Sequence, residues 1–274
     1  EDCSVRQRST RYFAGQANIK LSLPVSAELT LERFDEVRKR LVPQPVRRLE
    51  AAQLAETMPV GSYQVRIQAP GYDPVTYPFA LAHGMDWSTD PPNYFGAPQS
   101  LPLPPTGEVP EGFCYVPEGW FAAGGDHQAP NALAETRVWV DGFIISETPI
   151  THMQYLEFVN SVAHTSGRQE ASLWLPREQS GADGEIGRSL YTWADTHYRY
   201  LDGASKQSHP VTNITWHCAI AYTQWRSQQS GQRWRLPLEL EWEKAARGVD
   251  GRRFPWGDQF DAAFCVMMDS HQGE

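Results

Sequence analysis

The segment of residues 234–258 constrains the fold of this chain more than any other part of the sequence. Pro237 suits the first turn of a helix, because the N–H that it lacks would have no helical partner there. Gly248 is typical of the residue that ends a helix. We therefore predict a helix that begins at Pro237 and ends before Gly248. The residues predicted to face its core are Leu238, Trp242 and Ala245.

Three glutamates in this helix raise the question of acid–base catalysis. Glu239 and Glu243 share a face at a spacing of four residues, whereas Glu241 does not. All three lie early in the helix, where its dipole favours anions. We interpret them as structural charges, with a salt bridge to Arg235 or Arg247.

The same segment resembles a known family signature. Residues 234–248, followed by Phe254-Pro-Trp-Gly-Asp258, resemble the R-L-P-x-E-x-E-W-E-x-A-A-R-G and P-W-G-D blocks of the formylglycine-generating, or sulfatase-modifying-factor, family. Residues 113–126, 138–151 and 209–216 resemble three further family blocks in the same order. The resemblance implies an α+β, C-type-lectin-like domain over 109–274. Because the chain starts at Glu1 and stops soon after P-W-G-D, we expect a fragment whose family domain is incomplete at its C-terminus.

The N-terminal part of the chain is predicted to form a small β-sandwich module over residues 15–85. Residues 18–23 and 28–33 alternate apolar and polar side chains, which is typical of half-buried strands. Residues 61–77 resemble PEGA-type modules, with a turn at Pro70-Gly71. In the first half of that segment Tyr63, Val65 and Ile67 are predicted to face the core. Residues 46–57 fit a short helix, or equally an edge strand and a loop.

Prolines concentrate between the two predicted domains. Residues 91–110 contain seven prolines. Since proline fixes φ and lacks a backbone donor, this stretch suits neither a helix nor the interior of a sheet. We predict a semi-extended linker over 86–108 and a domain boundary there.

Two more helices are predicted in the segment that resembles the family. Thr151 and Gln154 form a capping-box pattern at the start of one helix. Thr215 is predicted to cap the other, and Gly231 to end it. The residues predicted to face the core are Tyr155, Phe158, Val159 and Val162 in the first helix, and Cys218, Ala221, Tyr222 and Trp225 in the second.

The sequence offers no matched catalytic or metal-binding residues. The resemblance implies a copper-binding cysteine pair beyond P-W-G-D, and Cu(I) needs two soft ligands close together. Neither Cys218 nor Cys265 matches that pair by position. Calcium is the other family metal, but Val266 stands where the family has an asparagine, and its side chain offers no oxygen. We predict no cofactor in this fragment, with calcium left open and copper dependent on a cysteine pair farther along the chain. The His209-Pro-Val step is interpreted as structural.

An aromatic-rich stretch supplies the candidate binding residues. Residues 165–209 show little periodicity but contain several tryptophans and tyrosines. Such side chains give a large contact area at a low entropic cost. We select Trp174, Trp193 and Tyr198 as candidates for binding a partner. The alternative at each position is that the ring only pins the loop to the core.

Composition narrows the classes of partner. The formal net charge is −9, and the basic clusters at 38–40 and 47–48 are isolated, so no nucleic-acid partner is predicted. No apolar stretch approaches the roughly 18 residues that a membrane-spanning helix needs. The partner is therefore expected to be a protein or a small ligand, and further domains are expected in the full-length chain.

Two functions remain open at this point. A β module and a linker before such a domain resemble the modules appended to bacterial signalling proteins, notably serine/threonine kinases, which favours a noncatalytic recognition role in the cytoplasm. The alternative is an oxidase that uses copper and oxygen to convert a sulfatase cysteine to formylglycine. A sulfoxide synthase of the ergothioneine pathway is disfavoured, because the β module stands where a histidine-bearing helix bundle would be required.

Overall fold

The computed structural model describes residues 9–94, 99–178, 187–201 and 207–265. The chain divides into two compact units. Unit 1 combines Glu1–Ile145 with Leu238–Glu274, and unit 2 is the continuous segment Ser146–Pro237. Helices and strands are mixed, as expected for an α+β chain. The helices used below are α1 (His152–Ser166), α2 (Arg168–Ala171), α3 (Trp216–Ser230) and α4 (Glu239–Arg247).

Unit 1 is built on one large sheet. The order of its main strands is β2-β1-β3-β4, and each neighbouring pair is antiparallel. A short strand, β5, pairs in parallel with β1 at Ile19 and Lys20. The strands are β1 (Gln16–Val37), β2 (Arg40–Pro59), β3 (Gly61–Gln68), β4 (Val75–Leu81) and β5 (Trp87–Ser88).

The alternating sequence pattern accounts for this sheet well. The two strands predicted at 18–23 and 28–33 are parts of the single strand β1, whose register with β2 shifts between Ser22 and Ala27. The inward direction predicted for Tyr63, Val65 and Ile67 is confirmed, since all three are buried. Residues 46–57 lie within β2, at the edge of the sheet, so the helical alternative is wrong.

The proline-rich stretch is attached to the sheet where the structure describes it. Leu101 and Leu103 are buried in the core of the sheet, and the Leu101 amide donates to the Ser22 carbonyl over 2.8 Å. The Asp73 carboxylate accepts from the amides of Gly107 and Val109 at 3.0–3.1 Å. Residues 99–109 are therefore packed rather than extended as a spacer, and the domain boundary stays a prediction.

Four shorter strands and α4 complete unit 1. β6 pairs with β9, and β7 pairs with β8. Their ranges are β6 (Phe113–Val116), β7 (Gly119–Ala123), β8 (Thr136–Val140) and β9 (Phe143–Ser146). Gly119 has a φ of 150°, and a Cβ there would collide with the Tyr77 hydroxyl, which donates to the Glu118 carbonyl over 2.8 Å. Glycine is therefore required where β4 meets the start of β7.

The tip of the β1–β2 hairpin contacts the P-W-G-D segment. Arg38 and Lys39 form the tip, both with positive φ. The Leu41 amide donates to the Trp256 carbonyl over 2.7 Å, and Lys39 pairs with Asp261 at 3.1 Å. Residues more than 200 positions apart in sequence thus meet within unit 1.

The predicted inner face of α4 is wrong. Leu238 is 64% exposed, Trp242 is 62% exposed, and Ala245 is exposed as well. The buried side chains are Glu241 and Lys244. Helix α4 therefore turns a polar face inward, which is tolerated because the buried head groups find hydrogen-bonding partners.

Unit 2 has an aromatic core between α1, α3 and the hairpin of β10 (Tyr191–Ala194) and β11 (His197–Tyr200). The capping box of Thr151 and Gln154 is confirmed. The cap by Thr215 and the left-handed Gly231 at the end of α3 are also confirmed. The predicted inward residues of both helices are buried or pack partly buried against this core.

Candidate functional site

Lys244 anchors α4 within unit 1. Its side chain is 3% exposed, and Nζ donates to the carbonyls of Pro117, Gly119 and Val140 at 2.7, 3.2 and 3.3 Å. Burial lowers the pKa of Lys244 to about 8, so the ammonium is charged at neutral pH. All three of its protons have acceptors. The geometry gives this lysine a framework role.

The glutamates of α4 are also engaged in framework contacts. Glu243 pairs with Arg247, one of the two alternative partners predicted for the salt bridge, and accepts from the Gly124 amide over 2.8 Å. Glu241 accepts from the Leu238 amide over 2.7 Å at the start of the helix. These contacts tie α4 to its neighbours and favour the structural interpretation over acid–base catalysis.

The cysteines in the described part of the chain occur as thiols. Cys218 is buried, and its sulfur lies 3.2 Å from the Thr215 hydroxyl at the start of α3. Cys114 is exposed and Cys265 is half-buried. Within the described ranges no cluster of three or more His, Cys, Asp or Glu is placed to hold a metal ion. Val266, the residue behind the calcium prediction, lies outside the described residues, so the metal predictions stay predictions.

A recess in unit 2 is the strongest candidate for a binding site. Its volume is about 620 Å³, within the range of roughly 300–1,000 Å³ typical of small-molecule sites. It is lined by Arg168, Gln169, Ser172, Leu175, Arg177, Tyr191, Thr192, Trp193 and Tyr198. The lining comes from α2, the turn that follows it, and the β10–β11 hairpin.

The hairpin register brings two of the predicted residues together. Trp193 of β10 is paired with Tyr198 of β11, and their ring centroids are 5.0 Å apart at 76°. The Tyr198 hydroxyl donates to the Arg168 carbonyl over 3.3 Å, and Tyr198 is 4% exposed. Asn160 of α1 accepts from the Tyr198 amide over 2.6 Å. Tyr198 thus fixes the wall of the recess, while the half-buried Trp193 contributes its surface.

Two arginines make this recess positive. The Arg168 guanidinium lies 5.2 Å from the centroid of the Trp193 ring. Arg177 donates to the carbonyls of Gly187 and Ser172, each over 3.3 Å. In residues 9–94, 99–178, 187–201 and 207–265, neither arginine has a carboxylate in salt-bridge range. Among the residues that the structure describes, the lining contains no Asp or Glu.

Trp174 lies outside this recess. Its ring packs on Phe158 at a centroid distance of 6.0 Å, and its carbonyl accepts from the Tyr155 hydroxyl over 2.8 Å. This placement favours the alternative of a core role for Trp174. The sequence interpretation overlooked Arg168 and Arg177, although both stand within the aromatic-rich stretch that it selected. Binding by Trp193 and Tyr198 stays a prediction.

Residues 100–273 match the sulfatase-modifying factor enzyme 1-like domain. The match covers more than half of the chain. This chain belongs to the sulfatase-modifying-factor family.

The relatives in the sulfatase-modifying-factor family have names that describe different functions. The formylglycine-generating enzyme of Bos taurus is 27% identical over 213 residues, covering 71% of this chain and 54% of its own length. The inactive C-alpha-formylglycine-generating enzyme 2 of Bos taurus is 45% identical over 141 residues, covering 45% of this chain and 44% of its own. The serine/threonine-protein kinase Pkn1 of Chlamydia trachomatis is 27% identical over 157 residues, covering 57% of this chain and 23% of its own.

Each match covers only part of this chain and only part of the relative. The chain spans between 23% and 58% of the length of the curated relatives that it matches. In the described part of this family member, no helix is long and apolar enough to cross a membrane.

Proposed function

We propose that this chain is a noncatalytic recognition module of the sulfatase-modifying-factor family. The observation that carries the proposal is the recess of unit 2, which joins Arg168 and Arg177 to the half-buried Trp193, with no carboxylate among the described residues in salt-bridge range of either arginine. A concave site with a few convergent polar groups and aromatic walls is the usual form of a ligand site.

The noncatalytic part of the proposal rests on the thiols. Cys218 lies buried in the first turn of α3, where its amide donates to the hydroxyl of the capping Thr215. Cu(I) needs two soft ligands close together, a task that a cysteine buried in the first turn of a helix does not suit. A relative named as inactive is 45% identical over 141 residues, so a noncatalytic member has a precedent in the family.

The proposal also covers the kind of protein in which the module occurs. We propose a bacterial, cytoplasmic signalling protein, kinase-linked, in which a PEGA-like β-sandwich over 15–85 precedes a C-type-lectin-like family domain over 109–274. The similarity to a kinase of Chlamydia trachomatis supports the link to signalling. Residues 86–108 are proposed as the boundary between the two domains, with further domains elsewhere in the protein.

The alternative is a formylglycine-generating oxidase. It is favoured by the bovine enzyme of that name, whose match covers 71% of this chain. In this case copper would be held by a cysteine pair and would supply oxygen activation. The alternative therefore predicts copper binding that depends on cysteine.

A copper titration of the full-length protein separates the two functions. The protein is titrated with Cu(I) against a competing chelator, and then incubated with oxygen and a sulfatase-type cysteine peptide. The recognition module should show neither tight stoichiometric copper binding nor aldehyde formation in the peptide. Copper binding that is lost on mutating a cysteine pair to serine, together with aldehyde formation, would establish the oxidase. The Cys218→Ser variant controls for folding, because this thiol is buried.

A further inference from the structure

We infer that the recess of unit 2 binds a small aromatic oxyanion: a planar ring that carries a phosphoryl, sulfuryl or carboxylate group. The inference names the ligand class for the site behind the proposed function, and so rests on it. Its basis is the joint placement of Arg168, Arg177 and Trp193 around one cavity.

The charge of the recess selects an anion. The described residues of its lining carry two guanidinium groups and no carboxylate, in a chain whose formal net charge is −9. The Arg168 guanidinium lies 5.2 Å from the centroid of the Trp193 ring, a neutral partner that does not cancel its positive charge. The planar fork of arginine matches the geometry of oxyanions and can donate two parallel hydrogen bonds.

Arg177 is oriented before any ligand arrives. Its two terminal nitrogens donate to the carbonyls of Gly187 and Ser172, and its amide donates to the Asn213 carbonyl over 2.9 Å. These neutral acceptors hold the side chain in place but do not neutralise it. A fixed cation loses little conformational entropy on binding, which favours affinity for an anion.

The walls of the recess select a ring. The half-buried Trp193 supplies the aromatic surface, while Leu175, Tyr191 and Tyr198 are buried parts of the wall. Gln169, Ser172 and Thr192 add neutral hydrogen-bonding groups at its border. A volume of about 620 Å³ holds one substituted ring and its anionic group, and it falls in the range of small-molecule sites.

Phenyl phosphate is the direct probe of this inference. Its binding to the full-length protein is measured by isothermal titration calorimetry or ligand-observed NMR, beside inorganic phosphate and phenol. We expect a dissociation constant of about 1 mM or tighter, and weaker binding of each half-ligand by roughly tenfold, because charge and ring contribute together. Benzoate and phenyl sulfate as further probes distinguish among the three oxyanions.

Variants assign the binding to the recess. Because a charge-assisted hydrogen bond is lost, Arg168→Gln should weaken phenyl phosphate by about tenfold. The Arg168 side chain is exposed, so this variant should fold. Trp193→Leu should weaken phenyl phosphate by several-fold and leave inorganic phosphate unchanged. Arg199→Gln is the matched control, since Arg199 is an exposed arginine on the same hairpin and does not line the recess.

Three outcomes would overturn the inference. The first is that no binding of phenyl phosphate is detected at about 10 mM, tenfold above the expected dissociation constant. The second is that inorganic phosphate binds with the same affinity as phenyl phosphate. The third is that Arg168→Gln and Arg199→Gln weaken phenyl phosphate binding equally. None of them revives the oxidase, which depends on copper and cysteine. Copper-dependent oxidation of a cysteine peptide, in contrast, would overturn the proposed function whatever the recess binds.

Discussion

The two units of this chain are stabilised in different ways. Unit 1 joins segments that are distant in sequence, and its main core is a sheet in which apolar side chains, aliphatic and aromatic, alternate with polar ones. Unit 2 is one continuous segment, and its core is a cluster of stacked and edge-on rings. Both cores bury tyrosine hydroxyls that have hydrogen-bonding partners, but unit 1 also buries the ammonium of Lys244, whereas unit 2 buries the imidazole of His152.

Tyr155 is the centre of the ring cluster in unit 2. It is 1% exposed and contacts the rings of Phe158, Tyr191 and Tyr222 at centroid distances of 5.4–6.5 Å. Burial raises the pKa of Tyr155 above its usual range, so the hydroxyl stays protonated and donates to the Trp174 carbonyl. One side chain therefore serves both packing and hydrogen bonding.

The largest expected effect tests that double role. Tyr155→Ala should lower the free energy of unfolding by about 3–5 kcal/mol, because it removes a buried ring and leaves a cavity. Tyr155→Phe should lower it by only about 1–2 kcal/mol, since it removes the hydroxyl alone. Urea unfolding gives both values, and hydrogen exchange should accelerate mainly in residues 146–237. Equal losses in the two variants would mean that the hydroxyl, not the ring, stabilises unit 2.

The second prediction tests the buried polar face of unit 1. Lys244→Met should lower the free energy of unfolding by about 2–3 kcal/mol, because three carbonyls lose their common donor. The matched control is Lys39→Met, which removes a half-exposed ion pair with Asp261 and should cost less than about 1 kcal/mol. A variant at Lys244 as stable as the wild type would show that apolar packing can replace the ammonium.

The third prediction concerns pH and unit 2. His152 is 3% exposed, its Nδ1 lies 2.9 Å from the Tyr191 hydroxyl, and its ring contacts Tyr200. Burial, with a smaller contribution from the charge of His209, lowers the pKa of His152 below its ordinary value of 6.5. The unfolded chain therefore binds a proton before the folded chain does, so unit 2 should lose stability as pH falls below about 6.5.

A variant isolates this titration. His152→Gln keeps a polar group near Tyr191 but cannot be protonated in this range. The difference in unfolding free energy between wild type and variant should therefore shrink or reverse as pH falls from 7 to 5. Parallel curves for the two proteins over that range would assign the acid sensitivity to other groups.

The two units also show which parts of the fold could be predicted from the sequence. Period-two alternation identified β3, and the Thr151–Gln154 box identified the start of α1, because both signals are local. The face of α4 was misassigned because apolarity alone cannot reveal the carbonyls that receive Lys244, which come from residues more than 100 positions away. Only Trp193 and Tyr198 of the recess were predicted. Strands β10 and β11 have four residues each, and a pattern this short does not reveal which side chains lie near Arg168 and Arg177.

The smallest expected effect concerns the exposed face of α4 in unit 1. A buried tryptophan on this helix would cost about 3–5 kcal/mol when truncated to alanine. Trp242 is 62% exposed, however, so Trp242→Ala should change the free energy of unfolding by only about 0.5 kcal/mol. Val249→Ala is the contrasting variant, because Val249 is 7% exposed and packs with Phe121 in the same unit, and it should cost more. A large loss in Trp242→Ala would show that this ring is covered in the folded protein, and the polar inner face of α4 would then be only one of two buried faces.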